Sequence, residues 1–113
     1  MKTIIAGGRD IDDFNLVKEA VKESGFEITE VVSGKAAGAD TLGEQWAEKN
    51  GVPVKEFPAD WELHGKSAGP IRNREMVQYA EALIALWDGQ SRGTSNMIQN
   101  ARAYGLEVHI RMV

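Results

Sequence analysis

The sequence predicts a Rossmann-like α/β fold, a parallel sheet of about five strands with helices on both faces. Three observations predict it. Short β-branched or aliphatic runs alternate with helix-like stretches along the chain, and such alternation folds as right-handed β-α-β crossovers. The connections are short, with a single polar exception at 58–69. The first two apolar runs end in glycine, at Gly7-Gly8 and Gly34, as they must where a strand turns sharply toward a helix.

Lys2–Ala6 (KTIIA) is the first strand. Asp13–Glu23 carries Phe14, Val17 and Val21 at helical spacing, with Ala20 beside them; Asp12 or Asp13 caps it and Gly25 ends it. Glu30–Ser33 is the second strand, and Asp40–Asn50 the second helix, with Leu42, Trp46 and Ala47 on one face and Asn50-Gly51 as its stop. Val52–Phe57 is a third strand, whose Pro53 suits a strand start or a sheet edge because it lacks a ladder donor. Pro58–Gly69 shows no period and reads as a loop. Pro70 suits the first turn of a helix running to about Ala80, where a missing N–H is harmless. Ala82–Trp87 (ALIALW) is the most apolar strand and belongs centrally in the sheet. Thr94–Tyr104 is the last helix, stopped by Gly105, and Leu106–Val113 alternates like a half-buried strand.

The chain has 113 residues, room for one domain spanning 1–113 and little for a second. Cysteine is absent, and His64 and His109 lie far apart, so no disulfide, thiolate zinc site or metal-ligand spacing is expected, and no cofactor. No apolar run approaches membrane-spanning length, and the N-terminus turns polar too early for a signal peptide. The expectation is a cytoplasmic protein. A net charge of −4 argues against a nucleic-acid partner.

In an open parallel sheet, ligands lie outside the carboxyl ends of the strands, where strand order reverses. Four loops leave those ends: Gly7–Asp10, Ser33–Asp40, the long segment reaching Gly69–Arg74, and Asp88–Thr94. They hold Arg9, Lys35, Lys66, Arg72, Arg74 and Arg92, six of the thirteen basic residues. Small residues admit a ligand close to the backbone, and helix N-termini favour anions, so the expected ligand carries phosphate. Gly7-Gly8 alone is explained by the turn. The run SGKAAGAD is stronger, although neither a Walker motif nor a dinucleotide fingerprint; Asp40 reads equally as a cap or as a ribose contact. GQSRGT resembles an anion cradle.

Arg72 and Arg74 fall on the predicted first turn of a helix, where positive charge opposes the macrodipole, which favours an anion-binding role over Glu75 as a partner. Trp61 is suited equally to stacking on a base or to packing, whereas Trp87 and Trp46 suit the core and His64 a solvated loop.

Four segments in order, GGRDIxD, VVSGxAxGAD, FPADWxxxGKxAGPIRNxxM and WDGxSxGT, resemble the YspA-type branch of the SLOG superfamily from Thr3 to about Leu106. The resemblance implies a Rossmann-like nucleotide-binding domain, commonly a homodimer or higher homo-oligomer. Relatives include the Lonely Guy phosphoribohydrolases, the DNA-processing protein family, molybdenum-cofactor carriers and sensor domains for ADP-ribose-derived signals. The phosphoribohydrolases carry a catalytic glutamate in P-G-G-x-G-T-x-x-E; here Gly93-Thr94 matches, but Met97 stands at the glutamate position. Methionine can act neither as a base nor as a carboxylate.

The expected function is a sensing or sequestering module for a nucleotide or nucleotide-derived small molecule, ADP-ribose-like or AMP-like. The alternative is a nucleotide-processing hydrolase in which Asp60, Glu75 or Asp88 replaces the missing glutamate. No catalytic residue is assigned. The expected ligand-binding set is Gly8, Arg9, Gly34, Ala37, Gly38, Asp40, Asp60, Trp61, Lys66, Arg72, Asn73, Arg74, Asp88, Ser91, Gly93 and Thr94.

Overall fold

Side chains on a strand point alternately to the two faces of a sheet, and here both faces are apolar. In β1 (Lys2–Gly7), Ile4 and Ala6 face one side and Ile5 the other. In β4 (Ala82–Trp87), Leu83 and Ala85 alternate with Ile84 and Leu86 in the same way. Such strands need helices on both sides, and the computed structural model, which describes all 113 residues, supplies them.

The remaining elements are α1 (Phe14–Ser24), β2 (Glu30–Ser33), α2 (Ala39–Lys49), β3 (Val54–Glu56), α3 (Trp61–His64), α4 (Ala68–Tyr79), α5 (Arg92–Ala103) and β5 (Glu107–Met112). All strand pairs are parallel, in the order β3-β2-β1-β4-β5. Val17 and Ala20 of α1 and Leu42 and Ala47 of α2 cover one face. Met76 and Val77 of α4 and Met97, Ile98 and Ala101 of α5 cover the other. The chain crosses from one side of β1 to the other through α4, so the order reverses between β1 and β4.

The expected elements form, with shifted ends. Asp13 caps α1 by accepting from the Asn15 N–H at 2.9 Å, and Gly25 ends it at φ 68. β3 is cut to Val54–Glu56, an edge strand that starts just after Pro53. The segment read as a loop holds α3, capped by Asp60, and a 3₁₀ turn at Gly65–Ser67. Neither buries a residue, so neither leaves an apolar period in the sequence. α4 begins at Ala68, which makes Pro70 its third residue, still within the turn whose N–H groups lack helical partners. At the other edge, Val108 and Ile110 of β5 pack toward the α4–α5 core, while His109 and Arg111 reach Glu23, and Arg111 also Glu19, on α1.

Gly43 lets α2 lie directly on the sheet: a Cβ there would fall 2.9 Å from the Ile5 Cβ, an atom that the strand holds in place. Gly43→Val is expected to destabilise the fold by about 1–3 kcal/mol through overpacking. Urea unfolding should show a lower midpoint at an unchanged m-value.

Candidate functional site

The strand reversal opens a crevice at the carboxyl ends of β1 and β4. A cleft of about 410 Å³ lies there. Gly7, Gly8, Arg9 and Asp10 line it from the end of β1 and the loop beyond, Ala36 from the loop after β2, Asp40 from the first turn of α2, and Arg72, Asn73 and Met76 from α4. Asp88 and the first turns of α5, through Ser91, Gly93, Thr94 and Met97, close the far wall. A second cleft, of about 280 Å³, shares Arg9, Ala36 and Arg72 with the first. Its other walls are Gly34, Lys35, Ala37, Pro58, Ala59 and Trp61.

The loop after β2 is shaped by two close approaches. A Cβ on Gly38, at φ 76, would fall 2.2 Å from the Gly8 carbonyl oxygen, so only glycine lets the start of α2 abut the loop after β1. A Cβ on Gly34 would meet Arg72 Cδ and Asp40 Oδ2, each at 2.9 Å. Gly34 is therefore held between these two side chains. Asp40 does not cap α2, whose N-cap is Gly38. Its Oδ2 instead accepts the backbone N–H groups of Gly34 at 3.1 Å and Ala36 at 3.2 Å, reaching back over the loop.

Asp40 is only 6% exposed. Burial pushes its carboxyl up to about 6, against the opposing pull of the Ala36 N–H and of Arg72. With a folded-state value above the unfolded one, stability is highest when Asp40 is protonated and falls as pH rises through about 6. The ionised form costs on the order of 3 kcal/mol at neutral pH.

Arg72 corrects the macrodipole argument. Because α4 starts at Ala68, Arg72 lies in its second turn, and Glu75 forms no ion pair with it. Its Nη1 donates to the Gly34 carbonyl at 3.0 Å and its Nε to Asn73 Oδ1 at 3.4 Å. Burial lowers the Arg72 guanidinium from its usual range, Asp40 opposes that shift, and the positive charge of Arg9 adds to it. Neither arginine has a carboxylate within 4.0 Å, so two cations face the shared wall of both clefts without an ion-pair partner.

Asn73 is buried and ties the two sides of the main cleft together. Its Nδ2 donates to Asn96 Oδ1 at 3.0 Å and to the Gly93 carbonyl at 3.4 Å. Opposite, Asp88 Oδ1 accepts the N–H groups of Ser91 and Gln90, both at 2.8 Å, which hold its carboxyl below the usual range. Ser91 and Thr94 hydroxyls lie 3.3 Å apart, and no side chain caps α5. Trp87 spends its indole N–H on the Ser91 carbonyl and packs against the core. A Cβ on Gly93 would meet nothing within 4 Å. The fold leaves that space open at an uncapped helix N-terminus.

Of the expected residues, the main cleft gathers Gly8, Arg9, Asp40, Arg72, Asn73, Asp88, Ser91, Gly93 and Thr94. The second takes Gly34, Ala37 and Trp61, with Trp61 half-exposed. Gly38, Asp60, Lys66 and Arg74 line neither. Gly38 serves the packing of α2 and Asp60 caps α3 through the Leu63 N–H. Lys66 and Arg74 are exposed, as are Arg92 and His64. Lys35 is committed to Glu44 at 2.9 Å and Glu56 at 3.1 Å. The broad cationic rim thus contracts to the Arg9–Arg72 pair. Sequence reasoning did not assign Gly7, Asp10, Ala36 or Met76 to the cleft; each lies beside an expected residue or one helical turn from Arg72. Met97 forms part of the apolar floor.

No group of three His, Asp or Glu side chains is placed to hold a metal ion, and no helix is long and apolar enough to cross a membrane.

The doubly wound sheet with an arginine-lined cleft at its reversal point defines a Rossmann-like α/β protein. The chain belongs to the YspA, cpYpsA-related SLOG family, whose model matches residues 1–64. This membership points to a nucleotide-related function. The chain is 35% identical over 117 residues to the Gene 61 protein of Mycobacterium phage D29, covering 95% of this chain and 93% of that one. It superposes on the X-ray structure of DNA processing protein A (DprA) from Streptococcus pneumoniae with a TM-score of 0.78 at 18% identity. That match covers 96% of this chain and 49% of the other, so the chain spans about half the length of that protein and shares its fold there.

Gly93 lies inside α5, where alanine is the better helix former. Gly93→Ala is expected to raise stability by up to about 1 kcal/mol, read as a higher Tm. A lower Tm would show that the fold itself requires this glycine.

Proposed function

We propose that this protein binds a nucleotide or nucleotide-derived small molecule, AMP-like or ADP-ribose-like, and acts as a sensing or sequestering module. The observation that carries the proposal is the unpaired Arg9–Arg72 pair facing the open, uncapped start of α5 across one cleft. Phosphate satisfies both sides: guanidinium groups bind its oxygens as charged donors, and a helix N-terminus offers free N–H groups and a favourable dipole. In this reading the second cleft receives the base, stacked on Trp61, because it opens from the same arginine wall. In the same reading Asp88, Ser91 and Thr94, which line the main cleft, bond ribose hydroxyls.

Binding is favoured over hydrolysis by the state of the three carboxylates offered for the missing glutamate. Of Asp60, Glu75 and Asp88, only Asp88 lines the main cleft. Its oxygen is engaged by two backbone N–H groups that favour the ionised form, so it has no proton to give a leaving group. Met97 supplies no replacement. The likeness to a DNA processing protein removes the force of net charge as an argument against nucleic acid. What supports a small molecule is that Arg9 and Arg72 line both clefts and meet at one shared wall.

A ligand at about a hundred times its Kd should stabilise the fold by about 2.7 kcal/mol. Thermal unfolding with AMP and with ADP-ribose tests this, and chromatography should return the ligand intact. Release of free base or phosphate at a steady rate would establish the hydrolase instead. Arg72→Ala is expected to weaken binding at least about ten-fold by calorimetry with the far-ultraviolet dichroism unchanged. Unaltered affinity would place the site elsewhere.

A further inference from the structure

Asp40 sits at the cleft with its charge turned to the protein's own use. Its Oδ2 takes the N–H groups of Gly34 and Ala36, and Gly34 alone separates it from the Arg72 side chain. The charged groups around it are few. Arg72 faces it from α4, with Arg9 behind from the loop after β1, and Glu44 lies one turn further along α2, paired to Lys35 and bonded by the Ser33 hydroxyl. Asp40 is thus the carboxylate that acts on Arg72, while Asp10 and Asp88 line other parts of the same cleft.

We propose that Asp40 is an internal counter-ion standing in for the ligand's negative charge, so that the cleft takes up its anion together with a proton on Asp40. The inference rests on the anion-binding reading given above. An arriving phosphate or sulfate brings a further negative charge to the arginine that Asp40 acts on. Two anions sharing a pair of cations in a partly desolvated site repel each other, and the carboxylate relieves this by protonation. The proton comes from solvent and stays on the carboxyl; no bond of the ligand is broken. By linkage, an anion that raises the proton affinity of Asp40 must itself bind more tightly as pH falls. The free carboxyl titrates at about 6, which places the effect just below neutrality.

The test uses two probes whose charge is constant between about pH 5 and pH 8, inorganic sulfate and ADP-ribose. Affinity of the wild-type protein for both is expected to rise several-fold as pH falls from 7.5 to 5.5, with net proton uptake measured by calorimetry in buffers of different ionisation enthalpy. Asp40→Asn keeps an oxygen to accept the two N–H groups but removes the charge. It should bind at pH 7.5 at least as tightly as wild type, lose the rise and the proton uptake, and unfold at an equal or higher Tm. A slope that arises away from Asp40, at the exposed His64 or the Glu23-paired His109, persists in Asp40→Asn.

A pH profile that is flat in wild type, or unchanged in Asp40→Asn, overturns the proposal. So does weaker binding by Asp40→Asn at pH 7.5, which would show the carboxylate supporting the anion. Should the variant fail to fold, the Asp40 carboxyl carbon of the wild-type protein is followed by NMR with and without sulfate. Its midpoint is expected to move upward with sulfate, and a midpoint that stays in place at saturation refutes the coupling. Sulfate binding without ADP-ribose binding would reject the nucleotide reading while leaving the proton coupling decided by the sulfate data.

Discussion

Arg72 donates to the Gly34 carbonyl across the carboxyl end of the sheet, and this bond joins regions that the sheet otherwise keeps apart. Gly34 belongs to the loop leading into α2, on one face; Arg72 belongs to α4, on the other. The contact exists only because residue 34 has no side chain, since a Cβ would meet both Arg72 and Asp40. From this point the rest of the cleft follows outward. Arg72 bonds Asn73, Asn73 bonds the Gly93 carbonyl and Asn96, and the start of α5 is fixed relative to the guanidinium. On the other side Asp40 holds the loop, and Gly38 rests on the loop after β1. A single close approach thus sets the geometry of three of the four loops around the ligand space.

The fold was largely legible in the chain because its signals are local. β2 and β4 occupy the expected residues, and Asp13 and Gly25 mark α1 through capping chemistry that acts within a few residues. The misread segment, 58–69, contains a four-residue helix that buries nothing, so hydrophobic periodicity had nothing to report. Cleft-lining positions were legible where a close approach requires glycine, as at Gly34, and less so where side-chain direction decides. Lys66, Arg74 and Arg92 lie near the right loops in sequence, yet each points to solvent and lines neither cleft. The role of Asp40 was hidden for another reason. Reaching back to Gly34 and Ala36 depends on the loop conformation, which no spacing rule encodes.

Family membership and structural likeness carry different weights. The family is established over residues 1–64, which includes the loops after β1 and β2 and Trp61. The wall formed by Arg72, Asn73, Gly93 and Thr94 lies beyond that match. There the phage relative extends along nearly the whole chain, while the structural neighbour, at 18% identity, speaks for the scaffold. What this chain places on the scaffold must therefore be argued from its own residues. Met97 on the cleft floor and an Asp88 held ionised by backbone N–H groups leave neither of these two positions with a proton to donate.

Three positions give up stability that other residues would keep, and all three surround this space. Lys35 adopts φ 59 and is the one non-glycine residue with positive φ, a conformation that costs about 1–2 kcal/mol. It lines the second cleft. Asp40 is buried and loses stability on ionising, where a neutral side chain would not. Gly93 weakens a helix although no neighbour excludes a Cβ. A fold optimised for stability alone would retain none of these choices, and scattered defects would not converge on one end of the sheet. Local costs gathered around a cleft are the pattern a binding site shows, and they agree with the proposed site at this end of the sheet.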